Sequence, residues 1–457
     1  MSTSGTQDAI VQAQHPTYDS IPTTPPAPEK GEENTSLIYR WRVSQGAVIA
    51  VVALALFTDM VVYGAVIPVL PKLVTERLHL DRKFIGILLA CYAAGLLLVT
   101  PVIGVLSDIY SNRKIPMLIG LGGLMMTTLL FAYGDTFWTL VMARMGQGIS
   151  GGISWTIGFC MLADIFPASE LGGVMGQALS ANTLGFLVGP PLGGILFDWY
   201  GFTAPFLFCS ALALIDLAGR LFIRPKVTSI NYDAPEDTEE RSPLISDHTR
   251  SASPSSSSRT NMIELLCDPQ VLCTCTTIVL GATAFSGIEP TLPIYLEEVF
   301  GASPSTVGLL WIAIIVPNAV VGIYAGHASD KHGRKVVSAI GLLLFGLATP
   351  LLAYADNIIL LVIALALFGA TNAAVMTPAL PEMAEFVHTR GGGAFAQAYA
   401  LFNMSYSCGM LVGPIVGSFL VEMYGFKAQM LFFGAILVLF APVVWWASRV
   451  QRNGVVA

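Results

Sequence analysis

Asp59, Arg144 and Glu289 are charged side chains inside stretches that are otherwise apolar. An isolated charge in hydrocarbon is costly, so each has to find a counter-charge or an aqueous chamber. Asp59 falls about 12 residues into its apolar run and Arg144 about 6 residues into a run of opposite sense. At ~1.5 Å of rise per residue the two depths agree within one helical turn. The two therefore either pair directly or face the same wet cavity. Protonating Asp59 would then release Arg144, which is one way to trade a proton for a bound molecule. Glu289 lies in Gly287-Ile-Glu-Pro-Thr-Leu-Pro-Ile-Tyr295, where two prolines loosen a helix. It is placed either to bind a cation or exchange a proton, or in an outer vestibule; Glu297 and Glu298 beyond it read as loop residues. Tyr63, Tyr92, Gln147, Asn182 and Asn403, with Trp155, Tyr399 and Tyr406, offer polar groups for a central cavity or for packing between helices.

These residues need elements that hold them away from water. The chain has 457 residues, of which 54% are hydrophobic and 12% charged. A soluble domain carries about 25% charge, so most of this surface must meet a bilayer. A spanning helix takes ~20 apolar residues. Twelve runs qualify, near 47–70, 85–107, 114–134, 138–160, 172–197, 203–223, 270–296, 305–328, 335–355, 358–381, 393–420 and 427–448. The expected fold is an all-α membrane protein with twelve transmembrane helices in two six-helix halves.

The expected organisation is a cytosolic tail (1–45), a first bundle (46–224), a linker (225–262), a second bundle (263–449) and a short tail (450–457). Tail and linker are rich in Ser, Pro and acids, a composition that buries no core. The linker holds Glu240-Arg-Ser-Pro-Leu-Ile245, which resembles an acidic dileucine sorting signal. Placing both termini inside puts about 13 near-membrane Lys and Arg on the cytosolic side against 5 outside.

The halves repeat each other. Gly104-Val-Leu-Ser-Asp108 through Arg113 and Lys114 returns as Gly326-His-Ala-Ser-Asp330 through Arg334 and Lys335. Pro68-Val-Leu-Pro71 returns as Pro290-Thr-Leu-Pro293. Gly185, Gly189 and Gly193 make a smooth stripe at i, i+4 and i+8, with Pro190 inside it; Gly409, Gly413, Gly417 and Pro414 repeat it. Such self-similarity marks a duplicated unit.

Six plus six helices, a central linker and this duplicated charged loop resemble the major facilitator superfamily. The resemblance covers about residues 45–450. Gly326 to Lys335 fits the family's loop pattern throughout. The first copy departs from it at Ile109, Ser111 and Asn112. The resemblance implies that Gly104, Asp108, Arg113, Gly326, Asp330 and Arg334 form a cytosolic gate, with the glycines letting helices cross closely and the charges latching them. Gly189-Pro190-x-x-Gly193 resembles the helix-5 motif of drug:proton antiporters, and Arg144-Met-Gly-Gln147-Gly148 their helix-4 motif. The segment around Glu289, together with Ile115-Pro-Met117 and Asp59, resembles vesicular amine transporters. In that group a lysine stands where this chain has Tyr92, and carboxylates stand where this chain has Asn372 or Ala373, and Asn403.

The expected function is export of a small organic molecule in exchange for protons by alternating access. A proton-coupled nutrient importer and a non-transporting sensor of the same fold are the alternatives. No nucleophile–base pair, metal-ligand spacing, nucleotide loop or basic nucleic-acid footprint is visible, so no enzyme, cofactor or nucleic-acid partner is expected. The expected partners are the substrate, protons and lipid, with the chain acting as a monomer in a plasma, vacuolar or vesicular membrane.

Overall fold

The computed structural model describes residues 44–109, 113–166, 168–222, 268–389 and 394–454. The N-terminal tail to residue 43, the linker with its dileucine-like segment, and the side chains of Asp108 and Tyr399 lie outside the described residues. The helices are α1 Gln45–Val66, α2 Lys83–Ile109, α3 Lys114–Tyr133, α4 Phe137–Ile165, α5 Ala168–Tyr200, α6 Thr203–Phe222, α7 Pro269–Gly287, α8 Leu292–Phe300, α9 Pro304–His332, α10 Arg334–Ala348, α11 Ile358–Met376, α12 Ala379–Thr389 and α13 Ala394–Gly454. No strand occurs among the described residues.

Local chemistry sets the ends. The Ser44, Thr136, Ser303 and Asn357 side chains accept a backbone N–H at the starts of α1, α4, α9 and α11. Asp268 takes the Gln270 and Val271 N–H groups at the start of α7. Eleven helical stretches are long and apolar enough to cross a bilayer. The last of them, Ala400–Arg449, runs for 50 residues. That is roughly 75 Å of helix, over twice the hydrocarbon thickness. It breaks at Gly425, whose φ of 82° no side-chain-bearing residue adopts easily, and so supplies two crossings. The twelve expected crossings are therefore present.

α1 is apolar all round and largely buried, with Ile49, Ala53, Phe57 and Met60 along its less covered face. It packs on α5; α2 packs on α4; and α3 packs on α4 and α6. In the second half α7 lies on the first arm of α13, and α9 on α11. Both glycine stripes are the means of close approach. A Cβ at Gly185, Gly189 or Gly193 would strike the α1 backbone at Phe57, Val61 and Gly64, or Ala65. Gly409, Gly413 and Gly417 stand in the same relation to Val279, Thr283 and Gly287 of α7. The halves meet through α2 on α13 and α5 on α9.

The glycines also show where the halves close. At the end that the Lys and Arg bias leads us to expect outside, Gly86 abuts the Pro414 carbonyl, Gly194 that of Pro304, and Gly308 that of Pro190. At the inner end a Cβ on Gly104 would meet no atom within 4 Å, and one on Gly326 only Thr377, at 3.7 Å. The close crossing expected at Gly104 is not made in this conformation, and Gly326 is in ordinary contact with Thr377. In this conformation the halves press together at Gly86, Gly194 and Gly308.

α6 carries a second pair of buried charges, Asp216 (1% exposed) and Arg220 (3%), one turn apart. Both carboxylate oxygens and all three guanidinium nitrogens lack a hydrogen-bond partner. Each charge is compensated chiefly by the other, so removing one alone strands its neighbour. Arg220→Leu is expected to destabilise the protein by about 3–5 kcal/mol, and Asp216→Leu/Arg220→Leu to recover most of that loss. Thermal melting of the purified variants decides it; equal melting of single and double variants would refute the compensation.

Candidate functional site

Asp59 is fully buried on α1. Its Oδ2 accepts two bonds, from the Tyr92 hydroxyl of α2 at 2.8 Å and from the Trp155 indole N–H of α4 at 3.2 Å. Its Oδ1 has no partner. Gly151 on α4 makes the space: a Cβ there would come within 2.8 and 3.0 Å of the two carboxylate oxygens and 2.8 Å of the Tyr92 oxygen.

Arg144, two turns earlier on α4, is also fully buried. Nε donates to the Leu88 carbonyl at 3.3 Å and Nη1 to Gln147 Oε1 at 2.9 Å. Gln147 in turn donates to Thr128 Oγ1 at 3.2 Å. The guanidinium carbon stands 5.4 Å from the Tyr63 ring centre and 5.2 Å from that of Tyr92. A cation over two aromatic faces is attracted to both, more so away from water. Nη2 remains without a partner.

Glu289 is 2% exposed and accepts a short hydrogen bond from the Tyr63 hydroxyl of α1. In this conformation Glu289 is enclosed where the two halves meet. Tyr63 and Tyr92 touch, with ring centres 4.8 Å apart. The result is a continuous polar line through apolar walls: Asp59, Tyr92, Arg144, Tyr63, Glu289. It joins the two halves of the chain at its last link.

The direct Asp59–Arg144 pair is a correction. Among the described ion pairs none joins these two residues; Tyr92 stands between them, hydroxyl on the acid and ring face toward the guanidinium. Depth was legible from residue count, but helix rotation was not. Tyr63 and Tyr92 are accordingly members of the relay rather than open cavity walls. Gln147 is buried and serves Arg144. Asn182 is half-buried with its Nδ2 unpartnered, and Asn403 is half-buried. Tyr406 stacks on Phe402 at 6.2 Å.

Sequence reasoning missed an aromatic group beside Tyr63. Phe186 lies 6.1 Å from Tyr63, 5.8 Å from Trp311 and 6.3 Å from Phe285. Trp311 is fully buried with its indole N–H unpartnered. Aromatics in apolar helices read equally as lipid-facing or core, so no sequence signal singled these out.

At the inner end, Arg113 binds Asp164 at 2.9 Å, and Arg334 binds Glu385 and the Pro381 carbonyl, both at 2.7 Å. Asp330 is exposed and takes no ion pair among the described residues. The motif arginines therefore anchor the inner ends of α4 and α12. Lys335, 3% exposed, lies 3.7 Å from Glu382. At the outer end, Lys72 lies 3.9 Å from Glu297, Lys83 lies 3.4 Å from Glu422, Arg82 pairs with Glu298, and Asp198 accepts the Ser305 N–H at 3.0 Å. Glu297 and Glu298 are thus ion-pair partners across the halves, not plain loop residues. These carboxylate–cation pairs are partly exposed, worth about 0–1 kcal/mol each. Glu297→Gln/Glu298→Gln is expected to shift the equilibrium toward outer opening by no more than ~30-fold. Spin-label distances across the outer face would lengthen in a fraction of molecules; unchanged distances would remove these pairs from gating.

Fold and site together define a class: a polytopic helical carrier, closed at one end, with a charged relay buried between two halves. The chain belongs to the Major Facilitator Superfamily, whose family model matches residues 52–299 and 272–455. An MFS-type transporter of Schizosaccharomyces pombe is 29% identical over 417 residues, covering 85% of this chain and 93% of that protein. The chromaffin granule amine transporter of Rattus norvegicus is 30% identical over 369 residues, covering 80% of this chain and 66% of that protein. The rat vesicular acetylcholine transporter is 29% identical, over 79% of this chain and 65% of its own length. Among solved structures, a bacterial homologue of the lysosomal transporter Spinster, inward-facing and unoccupied, matches 89% of this chain and 98% of its own, with TM-score 0.71 and 14% identity. The human organic anion transporter TETRAN matches 87% and 99%, with TM-score 0.63 and 20% identity. The chain is an integral multi-pass membrane protein of a transporter family.

Proposed function

We propose that this transporter exports a small organic cation in exchange for protons, the halves 46–224 and 263–449 rocking about the central relay. The observation that carries the reading is the relay itself. Two buried carboxylates, Asp59 and Glu289, flank one buried guanidinium and reach it through two tyrosines. Carboxylates in a site that opens alternately to each side can hold a proton or a cationic substrate, not both. That exclusion is what exchange requires. The aromatic group around Phe186 and Trp311 suits the face of an organic cation. Relatives named for amines and acetylcholine support that substrate class. The likeness of Gly189-Pro190-x-x-Gly193 to the antiporter motif supports export over uptake, so drugs, toxins or secondary metabolites are the natural candidates. Relatives named for vesicles support a vesicular membrane beside the plasma membrane; fluorescent tagging of the full chain would distinguish them.

The test is reconstitution into liposomes under an imposed pH gradient, with a panel of amines and quaternary aromatic cations. The expected result is accumulation of at least one cation on the acid side, with protons moving the other way. A protein that moves such a cation without moving protons, or moves protons in the same direction, would refute antiport. In cells, deletion is expected to raise sensitivity to the same compounds.

A further inference from the structure

We propose that Gln429, on the second arm of α13, is a positioning residue for Glu289: its side-chain amide holds open the helix break that presents this carboxylate to Tyr63. The inference rests on the reading of Glu289 as a coupling carboxylate. It adds a residue from a helix that the relay itself does not use.

α7 stops at Gly287 and α8 starts at Leu292, and the backbone between them can be accounted for bond by bond. In a continued helix, residue 290 would donate its N–H to Ser286 and residue 291 to Gly287. Pro290 has no N–H, and the Ser286 carbonyl is taken instead by the Glu289 N–H at 3.2 Å. Thr291 gives its N–H to Ile288, also at 3.2 Å. The Gly287 carbonyl is thereby released in the interior of the protein, where an unmade bond is expensive. Gln429 is fully buried, and its Nε2 donates to that carbonyl at 2.7 Å from 142 residues away. The Thr291 hydroxyl adds a longer bond of 3.2 Å.

The surroundings are shaped to this amide. A Cβ on Gly417 would come within 2.6 Å of the Gln429 Nε2 and would also strike the Gly287 carbonyl. Phe433, one turn further along the same arm, presses on Gly287 where a side chain would stand. Glu289 sits two residues past the held carbonyl. Its direction, and so its bond to Tyr63, depends on the chain leaving Gly287 through these tighter i→i−3 turns rather than a regular α-helix. Replacing these three-residue turns by regular α-helix would change the direction of residue 289 relative to residue 287 by roughly 40°, enough to move its carboxylate off the Tyr63 hydroxyl.

The test reads Glu289 by infrared difference spectroscopy on the full-length protein in lipid nanodiscs, without any substrate. The carboxyl band of Glu289 is the one lost in Glu289→Gln, and Tyr63→Phe gives its position once the tyrosine bond is removed. Gln429→Met keeps the length and loses the donor. In it the Glu289 band is expected to move to the Tyr63→Phe position at the same pH. Gln429→Glu donates only while its own carboxyl is protonated; read against the same variant carrying Glu289→Gln, it is expected to show the wild-type band in acid and the Gln429→Met band in alkali. A Glu289 band that stays at the wild-type position in Gln429→Met, or in Gln429→Glu at alkaline pH, would overturn the proposal. If Gln429→Met fails to fold, Gln429→Glu alone decides it. Whether the wild-type band titrates at all is a separate outcome: a band indifferent to pH would overturn Glu289 as a proton carrier and leave the role of Gln429 to the band positions.

Discussion

At zero membrane potential and a pH gradient of about one unit, Asp59→Asn is expected to accumulate the exported cation about tenfold less than the wild-type protein. The figure follows from stoichiometry. Each proton exchanged against a gradient of one unit supplies about 1.4 kcal/mol, which is a factor of ten in the concentration ratio the carrier can sustain. The substituted asparagine can still accept from Tyr92 and Trp155, since its amide oxygen replaces the Oδ2 that both bonds use. The packing against Gly151 is retained because the side chain keeps its shape. What is lost is the capacity to load and unload a proton. Glu289→Gln is expected to lower the ratio by the same factor, and the double variant to bring it to unity while downhill exchange continues. The measurement is the plateau ratio in liposomes at two or more imposed gradients. If the Asp59→Asn plateau rises with the gradient as steeply as that of wild type, Asp59 carries no transported proton.

Arg144→Leu is expected to cost more, about 100-fold or more in exchange rate. The guanidinium is the cation between the two carboxylates, and it is buried with them. Removing it leaves the Leu88 carbonyl and the Gln147 oxygen without their donor and takes the charge from the faces of Tyr63 and Tyr92. Breaking a buried charge set by deleting one partner costs about 3–5 kcal/mol, and that converts to a rate loss of roughly 10²–10⁴-fold if it is borne by the state that rearranges. Arg144→Lys is expected to recover little. An ammonium cannot bond Leu88 and Gln147 in the fork geometry while lying flat between two rings. Combining Arg144→Leu with Asp59→Asn should restore thermal stability relative to Arg144→Leu alone, because the acid no longer needs compensation. Stability that falls further in the double variant would show that Arg144 and Asp59 do not share one charge network, and the relay would have to be redrawn without Tyr92 as its middle.

Much of this molecule was legible before any coordinate. The apolar runs have the length of a bilayer, and hydrocarbon admits only helices with every backbone bond made internally, so number and type of element follow from composition. Glycines four apart can only serve close helix approach, and both stripes do so. Asp59 and Arg144 were expected away from lipid and Glu289 was left open between the interior and an outer vestibule; all three are buried. The gate residues fared differently. The loop pattern named Arg113 and Arg334, but their carboxylate partners Asp164 and Glu385 have no pattern of their own. Gly104 was assigned a close crossing that this conformation does not make, because which end of a two-halved carrier is shut depends on a balance between states rather than on any residue type.

What the sequence determined by itself is the solvent of each segment: how many helices there are and where a proline must break one. Only the tertiary structure decided who faces whom. α1 is apolar on every side, so nothing in its periodicity says which face Asp59 or Tyr63 occupies. Tyr63 and Glu289 are 226 residues apart and Gln429 and Gly287 142 apart, and these bonds form because glycine-lined grooves fix the rotation of each helix against its neighbour. Burial is a property of single residues and is written locally. Rotation is a property of packed pairs, and it exists only when the pairs are assembled.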